Sequence, residues 1–253
     1  MSGGALDVLA VGAHPDDVEL GCGGTLALLA ARGRRVGIAH LTGGESGTRG
    51  TAEERRREAR AAADALGAVE LLLLDFGDGG LRSGRAEEDA LIEVLRRLRP
   101  ELVLGPAPRD RHPDHGRAHR VLAAACFYAG LAGRRLEGPG ADLAPHRPAA
   151  VYDYMQHDPF EPSFVVDVSE HWETKRAALA CYASQLHPAA GGGGDGGAEG
   201  PATKVASREF ALAVEGRARH YGLLIGAELG EPFAARLPLA VRDPLAVLPG
   251  GLR

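Results

Sequence analysis

Residues 6–17 read LDVLAVGAHPDD, an apolar run typical of a buried strand that ends in an imidazole and two adjacent carboxylates. A turn from a strand into a helix usually contains glycine or a helix-capping residue, but this one contains His14, Asp16 and Asp17. Adjacent carboxylates repel each other and cost stability unless a cation lies beside them. A divalent metal ion is the simplest such cation, so the turn predicts a metal site at the end of the first strand.

A second cluster of the same residue types occurs much later in the chain. Residues 111–115 read RHPDH; they follow the apolar run Leu102–Leu104 and precede a helix-like stretch. In an open α/β sheet, ligands gather outside the carboxyl ends of the strands. We therefore expect the two clusters to converge and to supply two imidazoles and several carboxylates to one pocket.

Strand-like and helix-like segments alternate along most of the chain, which predicts right-handed βαβ units. We expect an α/β fold with a Rossmann-like, mainly parallel sheet flanked by helices, in a single domain over residues 1–253. Glycine dominates Ala189–Gly200, which predicts a flexible surface loop. The predicted strands are Asp7–Ala13, Arg35–Leu41, Glu70–Phe76, Leu102–Pro106, Ala150–Met155 and Phe164–Val168. The predicted helices are Gly24–Arg32, Ala52–Leu66, Glu87–Arg99, Gly116–Leu131, Glu170–Leu186 and Lys204–Leu224.

Composition excludes several classes of function. The chain has 253 residues, 45% hydrophobic and 25% charged, as in an ordinary globular protein. A net charge of −5 gives no electrostatic reason to expect nucleic acid as a partner. The sequence has no apolar run long enough to cross a bilayer and no signal-peptide pattern, so we expect a cytoplasmic protein without a membrane partner.

The residue types in the two clusters suit metal-assisted amide hydrolysis. Catalytic zinc takes three protein ligands and keeps a fourth position for water. His14, Asp17 and His115 can be those ligands, and the same donor set also suits Fe²⁺. Asp16 is then the base that takes a proton from water, and His112 can donate to an oxyanion. Asp114 can orient the His112 imidazolium.

Each motif also has a simpler explanation when it is taken alone. Aspartate is a favoured helix N-cap, so either turn could merely start a helix. The glycines Gly21, Gly23 and Gly24 could suggest a dinucleotide site, but their spacing does not complete that fingerprint. Tight packing of the first helix on the sheet explains these glycines better. Because both His/Asp turns occur at strand ends of one domain, a shared metal site is the stronger interpretation.

Three arginines flank the predicted site. Arg49 lies in the loop Thr42–Gly50, Arg55 lies near the start of the next helix, and Arg111 precedes His112. A guanidinium fork binds carboxylate or phosphate bidentately. Arg55 begins an arginine triplet that could simply be a solvated helix face. We nevertheless predict substrate binding by Arg111 and Arg55.

The motifs resemble those of the PIG-L/LmbE family of zinc-dependent N-acetylglucosaminide deacetylases. The family pattern AHPDD occurs at Ala13–Asp17, and HxDH occurs at His112–His115. The resemblance runs from about Leu6 to Gly226. The segments LDVLAVGAHPDDVELGCGGT, ESGTRGT, RDRHPDHG and FVVDVS resemble the bacillithiol-pathway branch, as does the stretch Tyr182–Gln185.

The resemblance implies a specific activity. It implies a Zn²⁺-dependent hydrolase that removes acetate from N-acetylglucosaminyl-malate, with His14, Asp17 and His115 as metal ligands. It further implies Asp16 as the general base, and His112 with Asp114 as the oxyanion-stabilising pair. Arg55 matches a family arginine that contacts the substrate. Hexameric assembly is also implied.

Two alternatives remain open. The chain could deacetylate another amino-sugar conjugate, such as a mycothiol-like or antibiotic precursor. It could instead be a metal-binding or phosphoester-cleaving protein that uses the same ligands, although phosphoesterases commonly use two metals.

Overall fold

The computed structural model describes residues 4–186, 201 and 203–243. Within them, seven strands form one sheet and six α-helices cover it. The strands are β1 (Val8–Gly12), β2 (Val36–His40), β3 (Glu70–Leu73), β4 (Leu102–Pro106), β5 (Ala150–Tyr154), β6 (Phe164–Asp167) and β7 (Gly230–Ala235). The helices are α1 (Asp17–Ala31), α2 (Ala52–Ala65), α3 (Arg85–Leu98), α4 (Pro113–Ala129), α5 (Trp172–Ala180) and α6 (Arg208–Ile225).

The sheet has the order β3-β2-β1-β4-β5-β7-β6, and its first five strands are parallel. This confirms the predicted α/β fold. The chain runs outward from β1 through β2 and β3, and then returns to place β4 on the other side of β1. Such a reversal opens a crevice at the carboxyl ends of the two strands it separates. The two His/Asp motifs follow β1 and β4 and therefore flank this crevice.

Both faces of the parallel sheet are covered. Val8 and Ala10 pack in one hydrophobic cluster with α1, α2, α5 and α6, whereas Leu9 and Val11 pack in the other with α3 and α4. Because every residue of β1 is buried, the strand reads as a continuous apolar run instead of an alternating one. Each large apolar side chain buried in this way stabilises the fold by about 1.5–3 kcal/mol. The residues of the site that follow β1 are therefore attached to a fully buried strand.

Strand β7 was not predicted, because its sequence GEPFAA contains Pro232. Proline cannot donate to a sheet ladder, so its presence argues against a strand. In the structure, β7 pairs antiparallel with β5 only through Phe233–Ala235, and Pro232 lies outside that ladder. On its other side, β7 pairs antiparallel with β6. The sheet is thus mixed, with a parallel body and one antiparallel strand.

Helix α1 begins at Asp17, well before the predicted start at Gly24. The backbone leaves helical geometry at Cys22 (φ −146°), which divides the helix into two parts. Glu231 of β7 caps the second part by accepting hydrogen bonds from the amides of Gly24 (2.9 Å) and Thr25 (2.7 Å). Buried Lys175 neutralises Glu231 at 2.6 Å. A cap supplied by such a distant residue cannot be recognised from the local sequence.

The glycines of α1 serve helix packing, as expected. A side chain at Gly21 would overlap the ring of Tyr154 in β5, and one at Gly24 would collide with Val168. These residues allow α1 to lie close against the sheet, which removes the reason to read them as a dinucleotide fingerprint.

The helices elsewhere agree with prediction to within a few residues, except after Ala180. There α5 ends, and Tyr182–Gln185 form turns in place of the predicted helix that continues to Leu186. The predicted glycine-rich loop Ala189–Gly200 lies outside the described residues. None of the helices in the described ranges has the length and hydropathy that a membrane span requires.

Candidate metal centre and active site

The carboxyl ends of all five parallel strands contribute to one cavity of about 320 Å³. This volume is in the range of small-molecule sites. The cavity lies over the crevice between β1 and β4, where the sheet topology places ligands. Its lining includes residues that follow β1 (His14, Asp16, Asp17), β2 (Ser46 to Arg49), β3 (Asp78, Gly79), β4 (Arg111, His112, His115) and β5 (His157).

Carboxylates lie beside one ring nitrogen of His115 and beside one ring nitrogen of His14. His115 Nδ1 lies 2.8 Å from Asp110 Oδ1. His14 Nε2 lies 3.0 Å from Asp78 Oδ1 and 3.6 Å from Asp114 Oδ2. A carboxylate behind an imidazole fixes its orientation and raises its basicity as a metal ligand. For His115 this leaves Nε2 as the nitrogen available to a ligand, whereas both ring nitrogens of His14 lie near carboxylates.

His14 and His115 face the same carboxylate. Asp17 Oδ1 lies 3.2 Å from His115 Nε2, and Asp17 Oδ2 lies 3.5 Å from His14 Nδ1. Gln156 donates to Asp17 Oδ1 (2.6 Å), and the His14 amide donates to Oδ2 (2.8 Å). The fold thus brings His14, Asp17 and His115 together from two strand ends, as the sequence predicted.

The donor set fits a divalent metal ion. One ring nitrogen from each of His14, His112 and His115 lies within 4.8 Å of the other two, a grouping that adds His112 to the two predicted histidine ligands. His14 Nε2 is buried and has no partner with hydrogen-bond geometry in the protein. Burial lowers the pKa of His115, but the carboxylates of Asp17 and Asp110 outweigh it and raise this pKa to about 9. Burial also opposes the charge on His14, whose neighbours Asp114, Asp17 and Asp78 nevertheless raise its pKa. The site accordingly favours positive charge.

Metal uptake by the metal-free protein is expected to release protons at pH 7. Both His14 and His115 have raised pKa values, and an imidazole must be deprotonated before it can bind a metal. Metal affinity should therefore rise as the pH increases toward about 9, the pKa of His115. Calorimetric titration in two buffers of different ionisation enthalpy measures the proton release. Uptake without proton release would show that these imidazoles are not ligands.

Asp16 has the properties of a reactive carboxylate. It occupies the left-handed region (φ 102°), which is costly for a residue with a side chain and is a common feature of active sites. It stands at the N-cap position of α1 but forms no capping hydrogen bond, so the capping explanation for this turn fails. Burial raises the pKa of Asp16 to about 7, although Arg55 opposes the shift. This carboxylate can both accept and return a proton near neutral pH.

His112 is the N-cap of α4, so here the capping explanation holds in part. Its Nδ1 accepts a hydrogen bond from the amide of Asp114 (3.2 Å), which leaves the proton on Nε2. Burial lowers the pKa of His112, and the neighbouring His14 and His115 lower it further. A neutral imidazole with its proton on Nε2 can donate that hydrogen to an oxyanion.

The Asp114 carboxylate forms its hydrogen bonds with residues other than His112. Asp114 Oδ1 accepts from Arg117 (2.6 Å), and Oδ2 accepts from the Gly79 amide (2.8 Å) near His14. Asp114 orients His112 through its backbone amide. One oxygen of this carboxylate thus contacts the loop that follows β3, while its negative charge acts to raise the pKa of His112.

The predicted substrate arginines lie in different surroundings. Arg111 is exposed at the rim of the cavity. Arg55 is buried, and it donates to the carbonyls of Gly44 (2.6 Å) and Pro15 (2.9 Å), with Asp16 Oδ2 at 3.9 Å. Two of its nitrogens are thus occupied by backbone next to Asp16. Substrate contact by either arginine stays a prediction.

Four residues of the site were not predicted from the sequence. Asp110 and Asp78 support the imidazoles, Gln156 binds Asp17, and His157 stacks on His115 with 5.7 Å between ring centroids. Asp110 was visible as part of RDRHPDH, and Asp78 as a carboxylate after the third strand. The position of neither residue in the sequence specifies which imidazole it supports.

Comparison with known proteins agrees with this site. Residues 9–126, from β1 through α4, match the family described as PIG-L, GlcNAc-PI de-N-acetylase. The diacetylchitobiose deacetylase of Thermococcus kodakarensis is 35% identical over 189 residues, 71% of this chain and 70% of the relative. The 4-oxalmesaconate hydratase of Pseudomonas putida is 32% identical over 196 residues, 71% of this chain and 74% of the relative.

A solved structure extends the similarity to nearly the whole chain. The crystal structure of a conserved protein from Thermus thermophilus is 38% identical to this chain, with a TM-score of 0.81. The alignment covers 93% of this chain and 97% of that one. The matched family segment contains both His/Asp motifs, and the sheet carries them to the same cavity. The chain therefore belongs to the PIG-L family of GlcNAc-PI de-N-acetylases.

Proposed function

We propose that this protein is a zinc-dependent hydrolase that removes acetate from an N-acetylglucosaminyl conjugate, specifically N-acetylglucosaminyl-malate. The observation that carries the proposal is Asp16, a largely buried carboxylate whose pKa is raised to about 7 and which forms no capping hydrogen bond. It lies in one cavity with His14, Asp17 and His115, which would hold the ion. Family membership supports deacetylation, and the segments ESGTRGT and RDRHPDHG support the acidic substrate.

When bound, the ion would supply Lewis acidity to the amide carbonyl and to the attacking water. Asp16 takes a proton from that water as its oxygen adds to the carbonyl carbon. His112 donates its Nε2 hydrogen to the oxygen that becomes negative. Asp16 then returns the proton to the sugar nitrogen as the carbon–nitrogen bond breaks, which leaves acetate and a free amine.

A panel of substrates tests this proposal. Zinc-loaded protein is incubated with N-acetylglucosaminyl-malate, diacetylchitobiose and an N-acetylglucosaminyl inositol, and the released amine is quantified. We expect acetate from all three and the highest kcat/KM for the malate conjugate. A higher kcat/KM for the inositol conjugate would replace the malate assignment with the mycothiol-like alternative. Absence of acetate from every amide would overturn deacetylation itself.

Hydration of a carbon–carbon double bond is the second candidate, because one relative of comparable identity is a hydratase. Such a reaction needs the same base and metal ligands but cleaves no amide. Incubation of the protein with 4-oxalmesaconate distinguishes hydration from deacetylation, because hydration lowers the ultraviolet absorbance of this acid. Turnover of this acid without acetate release from any amide would establish hydration.

A further inference from the structure

Arg49 has an uncommon environment for an arginine in the cavity wall. Its side chain is 6% exposed, and its Nε and Nη2 atoms are buried without a hydrogen-bond partner in the part of the chain that the structure describes. Among the described residues it forms no ion pair with a carboxylate. Taking a charged group out of water without a partner is costly, and proteins normally pair such a group.

Each of the other buried arginines among the described residues has two polar partners, although Arg55 Nε has none. Arg55 donates to two carbonyls, and Arg96 donates to the carbonyls of Ala129 (3.0 Å) and Leu131 (2.8 Å). Arg134, largely buried, pairs with Glu88 and Asp89. Arg49 thus combines deep burial, two unsatisfied nitrogens and a place in the wall of the catalytic cavity.

The backbone of Arg49 is held firmly in place. Gln185 donates to the Arg49 carbonyl at 2.6 Å, and Ser184 donates to both carboxylate oxygens of Glu58 in α2. The next residue, Gly50, has a φ of 71°, and a side chain there would meet Ser184. This gives a physical role to the stretch Tyr182–Gln185. It holds the backbone of Arg49 in the cavity wall by a hydrogen bond to the Arg49 carbonyl.

We propose that Arg49 is the specificity-determining residue that binds a carboxylate or phosphate of the substrate. A guanidinium with two free donors matches the two oxygens of such a group. The anion would satisfy the unpaired nitrogens and neutralise the buried charge, so acidic substrates gain binding that neutral ones cannot. This inference rests on the proposed site and names the residue that selects an acidic conjugate within it.

The test compares Arg49→Met with wild type on four substrates. N-acetylglucosaminyl-malate carries carboxylates, N-acetylglucosamine 1-phosphate carries a phosphate, diacetylchitobiose is neutral, and 4-oxalmesaconate is an acid without an amide. Loss of a bidentate charged contact should lower kcat/KM roughly ten- to a hundredfold, mainly through KM. We expect this loss on the acidic conjugate and less than about a twofold change on diacetylchitobiose. Whichever conjugate shows the larger loss of kcat/KM, malate or phosphate, identifies the anion that Arg49 binds.

Arg56→Met, at an exposed position of α2, is the matched control and should behave as wild type.

Thermal unfolding separates this role from a structural one. Methionine removes the unpaired buried charge and keeps the apolar stem, so Arg49→Met should have the same Tm as wild type or a higher one. N-acetylglucosaminyl-malate should raise the Tm of wild type and not that of the variant. A clear fall in Tm without ligand would mean that Arg49 supports the fold, and it would overturn the proposal. Arg49→Lys keeps the positive charge but lacks the planar guanidinium fork. Its kcat/KM should therefore still fall more on N-acetylglucosaminyl-malate than on diacetylchitobiose.

Failure of this inference can be distinguished from failure of the proposed function. Equal losses on acidic and neutral amides would refute the role of Arg49 and leave deacetylation intact. If no amide is cleaved, calorimetric binding of N-acetylglucosaminyl-malate and 4-oxalmesaconate to both proteins decides the inference alone. Binding that requires Arg49 would support the inference while deacetylation fails. Binding that Arg49→Met leaves unchanged would refute it.

Discussion

Replacing Asp16 with asparagine is expected to lower kcat by about 10²- to 10⁴-fold while the protein keeps its metal. The carboxamide matches the carboxylate in shape, but it cannot accept a proton from water. The buried Asp16 forms no capping hydrogen bond, so the substitution removes no contact of the helix. Single-turnover kinetics on the malate conjugate and metal analysis of the purified variant provide the two measurements.

Asp17→Asn is the matched control, because it makes the same chemical change at the next residue. Asp17 lies between His14 and His115, so this variant should lose metal as well as turnover. Comparison of the two variants therefore distinguishes a general base from a metal ligand. An Asp16→Asn variant with full metal and near wild-type kcat would remove Asp16 from the chemistry. Its strained backbone would then need a structural explanation.

Replacing His115 with alanine is expected to abolish stoichiometric metal binding and to lower kcat about 10³-fold or more. Lewis-acid stabilisation is worth several kcal/mol, and each 1.36 kcal/mol corresponds to a factor of ten in rate. His115 is buried and faces Asp17 on one side and Asp110 on the other, so its loss removes a predicted ligand that is held in place from both sides. Plasma emission analysis of the purified variant gives the metal content, and amine release gives the rate.

Asp110→Asn is the graded comparison for this prediction. Asp110 orients His115 but does not face Asp17, so its loss should weaken metal affinity roughly 10- to 100-fold. Excess zinc should restore the activity of Asp110→Asn and not that of His115→Ala. Wild type should bind one ion per chain. Two ions per chain would favour the phosphoester alternative, because the sets Asp110/His115/His157 and His14/Asp78/Asp114 have no residue in common.

The sequence was sufficient for the parts of the site that lie next to a strand end. A parallel sheet places its carboxyl ends along one edge, so an HPDD turn after β1 and an HPDH turn after β4 had to approach each other. The strand β1 was equally readable, because burial on both faces demands a continuous apolar run. The fold and the convergence of His14, Asp17 and His115 followed from these local patterns.

The tertiary structure alone decided which distant groups meet. Glu231 caps α1 across the sheet, Asp78 supports His14 from another loop, and Asp114 accepts a hydrogen bond from the Gly79 amide. The sequence also could not separate Arg49 from Arg55, since both are arginines near one loop. Packing leaves Arg49 unpaired and gives Arg55 two carbonyl partners. Hydrophobic periodicity and turn residues act over a few positions and therefore show in the sequence, whereas the partners of a buried polar group depend on how whole elements dock.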